Sequence, residues 1–311
     1  MAFLGLDTSN YTTSAALYFP DENKIIHSKM LLPVKQGEKG LRQSDAVFHH
    51  TQQLSIVCDD LFSKCDFTVD GVGASAFPRN AEGSYMPCFL VGLNTGRIIS
   101  KINSVKFHRT SHQVGHILAA LYSIGRLELI KERFVAFHLS GGTTEALLVE
   151  PDEEEIIRCT LVGSSTDLKA GQAIDRVGVM LGMKFPCGAE LDKLSLESEK
   201  SYRIKPSVNG CNISLSGVEN KCRKMLDDGE KPCDIAKFCI EYICTSIDKM
   251  TENIIAQHGS MPLVYAGGVM SNSYMKEYLG AKFGGLFAEP QFSSDNAAGV
   301  AIMAYFKELK K

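Results

Sequence analysis

Two stretches of the chain share one pattern of apolar and polar positions. Residues 3–26, FLGLDTSNYTTSAALYFPDENKII, and residues 134–157, FVAFHLSGGTTEALLVEPDEEEII, align without a gap at a constant offset of 131 and are identical at 11 of 24 positions. Any two β-hairpins can share apolar positions, but the matched Ser, Thr-Thr and Pro-Asp-Glu point to an internal duplication. Each copy reads as an apolar strand (3–6; 135–139), a polar turn (7–13; 140–144), a second strand (15–19; 146–149), an acidic turn (20–23; 151–155) and a third strand. Each half therefore opens with a three-stranded meander. Helical periodicity follows over 45–63, where Val47, Leu54, Val57 and Leu61 recur, and over 167–183, 235–257 and 297–309. Strands followed by helices, twice, predict two α/β lobes around a cleft.

The turns carry the first candidate chemistry. A Ser/Thr/Gly turn between strands offers backbone N–H groups and hydroxyls to phosphate oxygens. There are two such turns, one holding Thr8 and Ser9, the other Ser140, Gly141 and Gly142. Either alone reads as a plain hairpin turn. As a duplicated pair they match the layout of the sugar kinase, heat-shock-protein and actin ATPase superfold. A third element is the apolar strand that ends in Gly267-Gly268, before Asn272 and a helix over 273–279. Glycines after a buried strand allow close approach to a ligand, which suits an adenosine site. Asp167, Gly171 and Asp175 stand at i, i+4 and i+8, on one face of the expected helix. That face suits ribose hydroxyls or is simply solvated.

His112 and His116 form His-x-x-x-His. On a helix the two imidazoles can share one metal. No Glu follows His112, so the general base of the zinc proteases is missing. A third ligand would come from far away, and Asp295 is the candidate, though it also reads as the N-cap of an Ala-rich helix. Two histidines and one carboxylate would leave positions open for substrate or water.

Composition narrows the classes. With 44% hydrophobic and 22% charged residues the chain is neither disordered nor fibrous. Lys+Arg at 33 against Asp+Glu at 36 gives a net charge of −3, so nucleic-acid binding would need a local patch. The opening MAFLGLDTSN lacks the basic and apolar regions of a secretory signal, and no apolar run reaches about 18 residues. Ten scattered cysteines without Cys-x-x-Cys exclude a zinc ribbon and read as reduced thiols. The expectation is a cytoplasmic protein with no membrane partner.

The ordered set GSYMPCFLVGL, HQVGH, LSGGTTE, AGQAIDRVGVMLG, PCGAELDKL, SLSG, AGGVMSN and SDNAAGVA resembles the TsaD family. These are universal tRNA threonylcarbamoyl transferases of the actin-like ATPase superfold, formerly labelled O-sialoglycoprotein endopeptidase or glycoprotease. The resemblance implies two duplicated actin-like lobes around a nucleotide cleft, here residues 1–106 with 294–311, and 107–293. It implies one divalent metal, iron or zinc, on His112, His116 and Asp295. It places an adenine nucleotide or threonylcarbamoyl adenylate on Leu139, Ser140, Gly141, Gly142, Asp175, Gly188, Asp192, Gly267, Gly268 and Asn272, with Thr8 and Ser9 as a phosphate loop. It implies metal-dependent transfer of threonylcarbamoyl to the exocyclic amine of the tRNA adenosine beside the anticodon, with TsaB-like and TsaE-like subunits, a TsaC-like adenylate synthase, and a homo- or heterodimer.

The chain departs from the family pattern in several places. Thr143 stands where the family has His in Ser-Gly-Gly-His-Thr. Asp167-Leu168-Lys169-Ala170-Gly171-Gln172 replaces Asp-Asp-Ala-Ala-Gly-Glu. The Ala-Gly-Pro-Gly segment is replaced around residues 76–80, and the Val-Pro-Glu-x-Ala-Ser-Arg-x-His stretch is not recognisable. These changes suggest a divergent member or paralogue. The alternatives are a non-catalytic nucleotide- and metal-binding assembly subunit, or a carbamoyl-type transferase with another acceptor. Lys35, Lys39, Arg42 and Arg79 are the local cations near the divergent segments.

Overall fold

The computed structural model describes residues 1–9, 11–33, 41–293 and 296–310. Two compact units divide the chain, Met1–Glu132 with Glu150–Cys159 and Gln291–Lys311, and Arg133–Val149 with Thr160–Pro290. The first elements are β1 (Ala2–Ser9), β2 (Thr12–Phe19), β3 (Lys24–Leu31), α1 (Gln43–Phe62), β4 (Val69–Phe77), α2 (Phe89–Ile102), β5 (Lys106–Ser111) and α3 (His112–Ser123). Then come β6 (Phe134–Leu139), β7 (Thr144–Asp152), β8 (Ile156–Ser164), α4 (Ala170–Met180), α5 (Gly188–Ser195), β9 (Ser207–Asn209), β10 (Asn212–Ser214), α6 (Ser216–Asp227), α7 (Pro232–His258), β11 (Leu263–Ala266), α8 (Ser273–Phe283) and β12 (Leu286–Phe287). Short α9 (Pro290–Ser293) and α10 (Ala298–Leu309) close the chain.

In the first unit the sheet order is β3-β2-β1-β4-β5. The meander pairs antiparallel, and β4 and β5 add in parallel. All eight residues of β1 are buried, as expected of a strand covered on both faces. Leu4 and Leu6 join Ala15 and Leu17 of β2 and Leu54, Val57 and Leu61 of α1 in one apolar cluster. The other face takes α10, whose small residues allow close contact. A Cβ on Gly5 would stand 2.5 Å from the Ala297 carbonyl, and one on Gly299 would fall inside the Gly115 carbonyl of α3. Helix α3 starts directly after β5, with the Ser111 hydroxyl accepting from the Val114 N–H at 3.2 Å.

The second unit repeats this order as β12-β11-β6-β7-β8, with β7 antiparallel to β6 and β11 and β12 parallel. Phe137, Tyr265 and Phe287 stand at paired positions on β6, β11 and β12 and stack at 4.6 and 5.0 Å. The Tyr265 hydroxyl meets Thr251 of α7 at 3.2 Å. The stack fixes the parallel strands whose carboxyl ends carry Ser140 and Gly267. The long helix α7 is the spine of the surrounding core, which also takes residues of α4, α5, α6 and α8.

Several expectations change. Much of the turn read over 7–13 is strand, because β1 runs to Ser9 and β2 begins at Thr12. The helix read over 167–183 starts only at Ala170, so Asp167 does not share a helix face with Gly171 and Asp175. Residues 107–132, expected in the second lobe, belong to the first unit, because β5 pairs with β4 and α3 packs on α10. Asp295 lies outside the described residues, as do Lys35 and Lys39. At the start of α10 the Asn296 side-chain oxygen accepts from the Ala298 N–H at 3.0 Å. No helix is long and apolar enough to cross a membrane among the described residues.

Candidate active site

A cavity of about 450 Å³ opens in the second unit at the carboxyl ends of the adjacent parallel strands β6 and β11. Ligands of open α/β sheets gather at such ends. Ser140 and Gly141 line it from the turn after β6, Gly268 and Asn272 from the turn after β11, Gly171 and Asp175 from α4, and Gly188 and Asp192 from α5. The structure thus brings together most of the nucleotide-site residues expected from the sequence. Leu139, Gly142 and Gly267 do not line the cavity. Leu139 is buried, and Gly142 points out to solvent. Gly267, at φ +97°, lies against the Leu139 backbone and lets the two turns approach.

The wall is held by polar bonds. Ser140 Oγ accepts from the N–H groups of Gly142 and Thr143 at 3.2 and 3.0 Å, so these two do not face a phosphate. The Ser140 carbonyl accepts from the Gly171 N–H at 3.1 Å, and a Cβ on Gly171 would stand 2.6 Å from the Gly141 nitrogen. Asp175 accepts from the Cys187 N–H at 2.8 Å and so holds the loop that delivers Gly188. Asp192 accepts from Asn272 Nδ2 at 2.7 Å and from both the N–H and the hydroxyl of Ser273. Asn272 also caps α8 by accepting from the Met275 N–H at 2.9 Å. Pro186, Ile174 and Val269 complete the wall with the apolar surface that a purine ring needs. Burial, helped by Asp175 and Glu190, pushes the Cys187 thiol up, away from nucleophilic use.

His112 and His116 lie in the first unit, on the first two turns of α3, with their Nε2 atoms 2.9 Å apart. Asp7, at 1% exposure, stands behind them with Oδ2 2.7 Å from His112 Nδ1. With that nitrogen protonated and donating to Asp7, His112 turns an unprotonated Nε2 toward His116. This carboxylate–histidine arrangement is the usual support of a metal ligand. The carboxyl end of the same sheet also carries buried hydroxyls of Ser9, Ser75 and Thr110 that have no partner among the described residues. The residues present therefore fit one metal ion on two imidazoles. Among the described residues no third His, Cys, Asp or Glu completes a metal-holding group.

Thr8 is a correction. It is fully buried, its hydroxyl donating to the Cys88 carbonyl at 2.9 Å and accepting from the Gly92 N–H at 3.1 Å. It locks α2 onto β1 and does not form an open phosphate loop. Ser9 is likewise buried at the end of β1. Asp7 was missed as a site residue, because its partner lies 105 positions away.

A family model described as TsaD, tRNA N6-adenosine threonylcarbamoyltransferase, matches residues 25–302. The chain belongs to the TsaD family. A protein of Caldicellulosiruptor bescii named tRNA N6-adenosine threonylcarbamoyltransferase is 28% identical over 326 residues, covering 99% of this chain and 93% of that protein. One of the same name from Sulfurihydrogenibium sp. strain YO3AOP1 is 29% identical over 322 residues, covering 99% and 91%. Similar solved structures include component A of the (R)-2-hydroxyglutaryl-CoA dehydratase of Acidaminococcus fermentans, with TM-score 0.57, 16% identity and 99% of each chain covered. The ROK hexokinase of Thermus thermophilus gives TM-score 0.51 at 12% identity, with both chains covered in full. At such identities the likeness concerns the fold, which is that of the actin-like ATPases.

In the segment 167–172, where this TsaD-family chain departs from the pattern beside a retained Asp167, both Asp167 and Lys169 have structural employment. Asp167 accepts from Ser214 Oγ at 2.5 Å and from the N–H groups of Leu168, Leu215 and Ser216. Burial alone would raise its pKa, but these hydrogen bonds outweigh burial and hold the carboxyl well below the usual carboxylate range. It fixes the start of α6. Lys169 donates to the Ser165 carbonyl at 2.9 Å. Neither side chain lines the cavity.

Proposed function

We propose that the chain transfers a threonylcarbamoyl group from threonylcarbamoyl adenylate to the exocyclic N6 of the tRNA adenosine beside the anticodon. The observation that carries this reading is the family match over residues 25–302. The amine nitrogen forms a bond to the carbamoyl carbon, the bond from that carbon to the phosphate oxygen breaks, AMP departs, and N6 gives up a proton. The adenylate's adenosine is read against the wall of Ile174, Pro186 and Val269, with Asp175 and Asp192 beside its ribose. His112, His116 and Asp295 would hold iron or zinc, which when bound supplies a Lewis acid for the carbonyl oxygen. Asp7 keeps His112 in the ligating tautomer. TsaB-like and TsaE-like subunits and a TsaC-like adenylate synthase are the partners expected in a cytoplasmic pathway.

The test is formation of threonylcarbamoyladenosine from threonylcarbamoyl adenylate and unmodified tRNA with those partners, read by nucleoside mass spectrometry. Wild type yields modified adenosine, and His112→Ala loses both metal and product. A wild type that binds metal and nucleotide yet leaves the tRNA unmodified sinks the reading in favour of another acceptor.

A further inference from the structure

A second cavity, of about 440 Å³, lies wholly in the first unit and is used by none of the chemistry above. Its polar lining is Arg79, Asn80, Glu82, Ser84 and Tyr85 from the loop after β4, with Arg109 from β5. It lies by the carboxyl ends of two adjacent parallel strands, β4 and β5, one strand over from the pair β1 and β4 that matches β6 and β11 in the other sheet. The loop is shaped by its own bonds, with the Arg79 N–H donating to Ser84 Oγ at 3.0 Å and the Ala81 N–H to the Arg79 carbonyl at 2.9 Å. It is also tied to α3. The Gln113 N–H donates to the Pro78 carbonyl at 3.0 Å, and Phe77 pairs with Ser111. Arg109 stands three residues before His112, about 10 Å along an extended strand.

Two guanidiniums and a single carboxylate share this concavity. Guanidinium forks match the geometry of phosphate oxygens and keep their charge at any physiological pH. Tyr85, 63% exposed, adds a ring that water does not favour and on which a base can stack. Phosphate with a stacked base, beside the imidazoles, is the chemistry of a single-stranded RNA segment. It also supplies the local basic patch that a chain of net charge −3 needs to meet RNA.

We propose that this cavity receives a backbone phosphate of the tRNA anticodon loop, with a neighbouring base on Tyr85, and so brings the acceptor adenosine to the His112–His116 end of the unit. This rests on the transferase reading above. The test measures binding of unmodified tRNA to the full chain between 50 and 300 mM salt. Arg79→Ala with Arg109→Ala weakens binding about tenfold per arginine at low salt and flattens the log–log salt slope by about 0.7 per lost contact. Tyr85→Ala weakens binding about tenfold with the slope unchanged, because stacking carries no counterion release. Glu82→Gln tightens binding, a gain that damaged folding cannot mimic. AMP affinity stays at the wild-type value in all of them. Unchanged tRNA affinity and slope in the double arginine variant, or a wild type that binds no tRNA at 50 mM salt, overturns the proposal. A wild type that binds tRNA through these residues yet forms no modified adenosine overturns the transferase reading instead, and leaves the cavity as an RNA site.

Discussion

Neighbouring glycines in the chain have opposite jobs. Gly267 sits at φ +97°, and any Cβ there would enter the Leu139 backbone. Gly268 has nothing within 4 Å of the same added atom and lines the cavity. Gly267→Ala should therefore destabilise the protein by about 2–3 kcal/mol, through strain at a positive φ and collision between the turns. Gly268→Ala should leave the urea midpoint unchanged and weaken AMP binding, since its methyl group takes ligand space. Chemical denaturation beside AMP titration separates the two. Equal loss of stability in both variants would mean that the cavity wall, not the ligand space, depends on Gly268. The same logic explains what could be read in advance. Gly-Gly after an apolar run announces a close approach in the sequence itself. Thr8 announces nothing, because the Cys88 carbonyl and Gly92 N–H that claim its hydroxyl lie 80 and 84 positions on.

Secondary elements carry a charge problem of their own. His50 on α1 is fully buried, its Nδ1 2.8 Å from Thr13 Oγ1 and its Nε2 without a partner among the described residues. Burial lowers its proton affinity, and burial does the same to His27 on β3 and His108 on β5. The unfolded chain, with histidines near 6.5, roughly their ordinary value, then binds protons before the folded one does. Stability must rise with pH in this window, be complete above about pH 7, and fall as the pH drops through about 6.5 and below. Melting of metal-free protein between pH 8 and pH 5.5 checks this, and His50→Gln should flatten the slope. A melting temperature that rises on acidification would contradict it. The helix that carries His50 was legible from its apolar spacing. The histidine's burial was not, since only the pairing of Thr13 into β2 brings a hydroxyl to it.

At the scale of the whole molecule the duplication was the most legible feature, because the 131-residue offset preserves both the meander and its place in the sheet: β3-β2-β1-β4-β5 and β8-β7-β6-β11-β12 have one order. What the repeat could not disclose is how differently the two copies are used. Asp7 and His138 occupy equivalent positions, yet Asp7 supports His112, while β6 delivers Ser140 and Gly141 to the cavity wall. Each unit has its own core, so a local substitution should be felt in its own unit. Asp7→Asn replaces a charged acceptor by a neutral one behind His112 and should cost about 10–100-fold in metal affinity, as loss of an outer-shell carboxylate does. It should leave AMP affinity within about twofold of wild type. Gly268→Ala should do the converse, weakening AMP and sparing the metal. Metal titration and AMP calorimetry on the two variants and wild type form a cross in which each substitution moves one readout only. If Asp7→Asn also weakens AMP, metal and nucleotide sites are energetically one, and the assignment of separate tasks to the two copies fails.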